Sequence, residues 1–113
     1  MIHDYKSKAD YDTLIEQSQT NLVFLMKHSS ICPISSMANK EFLSFIEDKP
    51  TTLGWQVLVR EDRPLSLDIA ERSGIKHQSP QIIVFQKGKP VWDCSHGQIT
   101  QINLSNTLKQ LMA

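Results

Sequence analysis

The order in which apolar runs and amphipathic stretches follow one another predicts an α/β fold, with a central mixed β-sheet flanked by helices on both faces. Three observations carry this expectation. Residues 22–27 form a continuous apolar run ended by Lys27, the pattern of a central strand covered on both sides. Strand-like and helical patterns then alternate, which joins strands in parallel through helical crossovers. Last, Gln86-Lys87-Gly88-Lys89 separates two strand-like runs as a hairpin turn, so the final pair is antiparallel.

Each element has its own signal. Residues 10–18 carry apolar side chains at helical spacing, Tyr11, Leu14 and Ile15, and predict a short amphipathic helix before the first strand. The second helix covers residues 35–48 behind Cys32 and Pro33, with Met37, Phe42, Phe45 and Ile46 expected on one face and Pro50 just past its end. Residues 55–59 read as a strand, and residues 64–73 as a helix stopped by Gly74. Pro80 opens the strand at residues 81–85, a position where proline is tolerated, and residues 90–94 form its hairpin partner. Thr100 is the expected N-cap of a last helix over residues 101–112. The expected order is α-β-α-β-α-β-β-α.

At 113 residues the chain is one domain, 1–113, large enough for a single core. Twelve Lys plus Arg balance twelve Asp plus Glu, so no net field draws nucleic acid or an anionic membrane. Neither is an expected partner. No apolar run approaches the length that spans a bilayer, and residues 1–6 lack the apolar stretch of a signal peptide, so the expected location is cytoplasmic. In that reducing compartment, Cys32 and Cys94 are expected to be a reactive thiol and a bystander rather than a structural bridge.

Cys32-Pro33-Ile34-Ser35 lies between the first strand and the second helix. Pro33 suits the first helical position, because its missing N–H has no partner there and its φ is already helical. Cys32 therefore occupies the cap, where unpaired backbone N–H groups and the positive end of the helix dipole favour the thiolate. The spacing is that of the redox motif C-x-x-C with a hydroxyl in place of the second sulfur, so no disulfide can join the two positions. A one-thiol nucleophile is the expectation; a buried, inert cysteine is the competing one, and Pro33 with the helix start argues against it by favouring exposure.

The segments Phe24-Leu25-Met26-Lys27-His28-Ser29-Ser30-Ile31-Cys32-Pro33-Ile34-Ser35, Arg63-Pro64-Leu65-Ser66, His77-Gln78-Ser79-Pro80-Gln81 and Ser95-His96-Gly97-Gln98-Ile99-Thr100 together resemble the YtxJ-type monothiol bacilliredoxins. The likeness spans nearly the whole chain, and Cys-Pro-Ile-Ser joined to Ser-Pro-Gln is far more specific than a lone C-x-x-S. The resemblance implies a thioredoxin-like fold with Cys32 as the attacking thiol. It further implies S-bacillithiolated cytosolic proteins as partners and bacillithiol as cosubstrate, with no tightly bound cofactor.

The remaining candidates are weighed against that plan. Ser35 either donates its hydroxyl hydrogen to the Cys32 thiolate or satisfies a first-turn N–H of the helix. Pro80 is the candidate cis proline, which the resemblance places beside the attacking cysteine with the main chain of Ser79 offered to bound substrate. Ser95, His96 and Gly97 follow the hairpin, which in such a fold returns to the edge that carries Cys32. His96 is expected either to favour the thiolate, move a proton to a leaving thiol or bond a carboxylate of bacillithiol, or else to be a plain surface histidine. Lys27 and His28 are weaker versions of the same idea, and a cation at a strand end is expected to face water. Cys94 is either a resolving thiol or, as strand alternation favours, a small packed residue. Trp55 and Trp92 are expected in the core or at its rim. No metal-ligand spacing connects His3, His28, His77 and His96, so no metal is expected. The competing function is a thioredoxin-like binding module or iron-sulfur carrier with Cys32 as ligand; a peroxide-reducing enzyme is disfavoured because no Thr, Ser and Arg are arranged around Cys32.

Overall fold

The computed structural model describes residues 2–113. Five strands form one mixed sheet in the order β1-β3-β2-β4-β5, with β1 Ile2–Asp4, β2 Val23–His28, β3 Leu53–Leu58, β4 Gln81–Gln86 and β5 Lys89–Ser95. The helices are α1 Ala9–Gln17, α2 Pro33–Asp48, α3 Arg63–Ser73 and α4 Gln101–Met112, with a 3₁₀ turn at His96–Gln98. β1 and β2 both run parallel to β3, whereas β4 runs antiparallel to β2 and β5 to β4. No helix among the described residues is long and apolar enough to cross a membrane.

Every residue of the central strand β2 is buried, as its continuous apolar run requires. Alternation sorts its side chains between two cores. Phe24 and Met26 join Phe42, Phe45, Leu104 and Leu108 on the α2/α4 face, while Val23 and Leu25 join Tyr11, Leu14 and Ile69 on the α1/α3 face. Local signals set the ends of the elements. Gly74 caps α3 in the left-handed region at φ 75°, Thr100 accepts from the Asn103 N–H at 3.1 Å to cap α4, and Lys87 and Gly88 both take positive φ in the turn between β4 and β5.

Two expectations are corrected. The chain begins with a strand rather than a helix: β1 is three residues long, two of them polar, and is defined by pairing Ile2, His3 and Asp4 with Gly54, Trp55 and Gln56. A Cβ at Gly54 would stand 2.6 Å from Ile2 Cδ1, the flexible end of that side chain, and 3.3 Å from the Ile46 side chain. Met37 is not on the buried face of α2 but 70% exposed; Ala38 takes its place with Phe42, Phe45 and Ile46. One residue along a helix turns the side chain by about 100°, so a one-position shift of the stripe moves Met37 to solvent.

Candidate active site

β2 ends at His28, and a short loop delivers Cys32 to the start of α2 at the sheet edge that also receives the N-terminal end of β4. Cys32 is the N-cap residue, with extended backbone at φ −91° and ψ 124°, Pro33 in the first turn and the Cys32 carbonyl accepting the Ser36 N–H at 2.9 Å. Its thiol is half-buried and free. The backbone N–H of Ser35 and then that of Ile34 hold the thiol below its ordinary value, and the Ser35 hydroxyl adds to them against a small opposing effect of desolvation. No cap bond to the neutral thiol is formed, so this donor set does its stabilising when the sulfur carries charge.

Ser35 is fully buried, and its Oγ accepts the N–H of Ser29 at 3.2 Å. The donor it satisfies is therefore in the loop before the helix, not in the first turn as one of the two expectations had it. The hydroxyl hydrogen is not used in that bond, and the Ser35 side chain contributes to the lowering of the Cys32 thiol.

The Ser79-Pro80 peptide is cis, and Pro80 is buried. The carbonyl of Pro80 accepts the N–H of His96 at 3.0 Å, which ties the start of β4 to the 3₁₀ turn. Ser95 pairs with Gln81 across the hairpin, and its N–H donates to Gln98 Oε1 at 3.3 Å. His96 takes φ 54°, a left-handed conformation uncommon outside glycine, and is exposed. His96 and Gly97 line a groove of about 600 Å³ against Ile34, Met37, Lys40 and Glu41 of α2. A Cβ at Gly97 would meet nothing within 4 Å, so this rim is open. The structure thus brings His96 and Gly97 to the same helix that presents Cys32, while Ser95 is held behind them in the sheet.

Lys27 does not face water. It is fully buried, its Nζ donating to the Ser66 carbonyl at 3.1 Å and lying 3.2 Å from His77 Nδ1. Burial alone pulls its amine down to about 8. The sign was in the sequence: two residues after Leu25 on a central strand, Lys27 shares Leu25's inward face. His28 is also buried, 3.4 Å from Gln56 Oε1, and burial lowers its pKa. His77, named above in a motif and among the histidines without metal-ligand spacing, and Gln81, named only in the motif, join Lys27 in one polar cluster to which the sequence assigns no role.

Cys94 pairs with Ile82 and is packed among the residues of the α2/α4 core. Burial first, and Asp93 second, push its thiol up to about 12. A thiol that resists ionisation attacks disulfides poorly. Cys94→Ala is therefore expected to leave turnover of a mixed-disulfide substrate within about twofold, measured by release of the small thiol. Loss of turnover together with a native Cys32–Cys94 disulfide would reassign Cys94 as the resolving thiol. Among the described residues, no group of three or more His, Cys, Asp or Glu side chains is gathered to hold a metal ion.

Comparison with known proteins agrees with this geometry. The model of the family described as "Monothiol bacilliredoxin BrxC" matches residues 3–104. A solved structure titled only as a candidate oxidoreductase with a thioredoxin fold is 33% identical, with a TM-score of 0.86 over 95% of this chain and 93% of that one. Thioredoxin from Fasciola hepatica superposes with a TM-score of 0.77 at 16% identity, covering 96% of this chain and 97% of its own. Thioredoxin from Trypanosoma brucei brucei gives 0.79 at 14% identity, covering 99% and 91%. At such identities the two thioredoxins establish the fold alone.

Proposed function

This chain belongs to the monothiol bacilliredoxin family and has the thioredoxin fold, and from that premise we propose that it removes bacillithiol from mixed disulfides on cytosolic proteins through Cys32 alone. Thiol-disulfide exchange is the coarser activity that family and fold support together. The observation that carries the finer reading is the site itself: a half-buried thiol at a helix start, with a buried hydroxyl at the position where a dithiol enzyme has its second sulfur.

The Cys32 thiolate attacks the bacillithiol sulfur of the mixed disulfide. A new S–S bond forms between Cys32 and bacillithiol, the old S–S bond breaks, and the client departs as a thiolate that takes a proton from solvent. Attack requires three sulfurs in line, which the exposed side of the helix start permits. A second bacillithiol, as thiolate, then attacks the adduct and leaves as the small-molecule disulfide, restoring Cys32. Ser35 stabilises the Cys32 anion but has no sulfur with which to displace the adduct.

The groove between α2 and the 3₁₀ turn supports the same reading. Ile34 and Met37 offer apolar surface on the helix that Cys32 caps, and Lys40 and His96 are the groove's cationic or donor groups for the carboxylates of bacillithiol, while the Glu41 carboxylate there accepts the Gln101 N–H. Ser79, Pro80, Ser95, His96 and Gly97 are the proposed substrate-side residues, with Ser95 acting through its support of the turn.

The first test is the state of Cys32. Alkylation by iodoacetamide against pH, followed by peptide mass, is expected to give a midpoint below the free-thiol value of about 8.5. The second is transfer: incubation with a bacillithiolated client should give reduced client and a bacillithiol adduct on Cys32. A midpoint at or above the free value removes the physical premise, and an alkylatable Cys32 that never acquires the adduct removes bacillithiol transfer while leaving the fold. Brown protein from anaerobic purification would favour the iron-sulfur carrier instead.

A further inference from the structure

The loop that leads into β4 is fastened at nearly every residue. The Lys76 carbonyl accepts from Gln81 Nε2 at 2.9 Å, His77 Nδ1 lies 3.2 Å from Lys27 Nζ, the Gln78 N–H donates to Gln81 Oε1 at 3.3 Å, and the Pro80 carbonyl accepts from His96. Ser79 is the exception. Among the described residues, neither its N–H nor its C=O has a hydrogen-bond partner, although the residue is half-buried. These groups lie in an otherwise anchored loop, beside the turn whose His96 and Gly97 share a groove with Ile34.

Two of the fastenings are chemically expensive. Lys27 and Gln81 are register partners on β2 and β4, and both are buried on the α1/α3 face. An ammonium group enclosed without a carboxylate partner costs far more than the aliphatic side chain that would continue the strand. Lys27 instead joins Ser66 of α3 to His77 of the loop, and because an ammonium only donates, it selects the His77 tautomer with hydrogen on Nε2. Gln81 uses both ends of its amide on the loop, one to Lys76 and one to Gln78. Core packing alone would not select either residue.

We propose that Lys27 and Gln81 are positioning residues for the transfer step, fixing residues 76–80 so that Ser79 and Pro80, already named on the substrate side, are held in place for the client segment carrying the mixed disulfide. The proposal rests on the transfer reading above. It assigns neither residue a contact with the reacting sulfurs; both act through the loop.

Lys27→Met and Gln81→Leu, singly and together, test it in three readouts. Each single variant is expected to lower kcat/KM for a bacillithiolated client peptide by about tenfold, chiefly through KM. Iodoacetamide, which needs no docking strand, should alkylate Cys32 at the parent's rate and with the parent's pH midpoint. Hydrogen exchange of the peptide covering residues 76–80 should quicken. The double variant should lose less than the product of the single losses, because both residues hold one loop. Parent-like transfer in both variants overturns the proposal, and so does a fall in alkylation parallel to the fall in transfer, which would mark a general loss of the site. Should the parent itself fail to transfer bacillithiol, the transfer reading falls, and exchange over residues 76–80 still decides the loop: unchanged exchange in the variants overturns its anchoring by Lys27 and Gln81. If Lys27→Met does not fold, Gln81→Leu carries the same three comparisons.

Discussion

On the transfer reading proposed above, Ser35→Cys is expected to turn a persistent bacillithiol adduct on Cys32 into one that discharges unaided. In the parent, the Ser35 hydroxyl helps lower the Cys32 thiol but has no sulfur with which to displace an adduct, so on that reading the adduct should persist until free bacillithiol is added. A cysteine three residues along the first turn of α2 restores the dithiol spacing, and side chains at this separation face one another. Its thiolate attacks the Cys32 sulfur of the adduct, an internal disulfide forms, and bacillithiol leaves as thiolate. Burial of position 35 opposes the thiolate, and the Ser29 N–H that now bonds the hydroxyl is available to the introduced sulfur to offset it. Rapid-quench mass spectrometry should show an adduct-mass species for the parent and the loss of two hydrogens for the variant. Equally persistent adducts in both would show that the two positions do not meet across the helix start. An internal disulfide with no adduct on the way would mean that the variant is oxidised by another route.

The parts of this site that sequence made legible are those governed by local rules. Pro33 after Cys32 and the apolar run before them placed the thiol at a helix start, and the amides of Ser35 and Ile34 that act on it belong to that same turn. Gly74, Thr100 and the Lys87-Gly88 turn likewise marked ends whose chemistry lies within a few residues. What escaped was non-local. Asp4 and His3 carry no strand signal of their own; their strand is defined by pairing with Gln56 and Trp55 of β3, far along the chain. Lys27 resembled a solvent-facing cation because its partners, Ser66 and His77, are distant along the chain and are brought to it by α3 and the loop before β4. His96 lies across a groove from α2, and its left-handed backbone and its bond to Pro80 depend on how β5 ends against β4.

Phe42→Ala is expected to have the largest effect on stability while leaving the chemistry of Cys32 in place. Phe42 is fully buried on the inner face of α2, in the core that includes Phe24, Met26, Phe45 and Ile82. Truncating a buried phenylalanine costs about 3–5 kcal/mol through lost transfer energy and the cavity left behind. For a domain of this size that is a fall in Tm of roughly 12–40 °C, read by thermal circular dichroism. Met37→Ala on the same helix removes an exposed side chain and should stay within about 0.5 kcal/mol. The contrast tests the assignment of the two faces directly, since an inverted order of effects would put the buried stripe of α2 at Met37. Below its own melting temperature, Phe42→Ala should keep the alkylation midpoint of the parent, because the donors that stabilise the thiolate are the first-turn amides of Ser35 and Ile34 and not the core beneath them. A midpoint that rises before any unfolding would instead mean that core packing under α2 sets the geometry of its first turn, and with it the reactivity of Cys32.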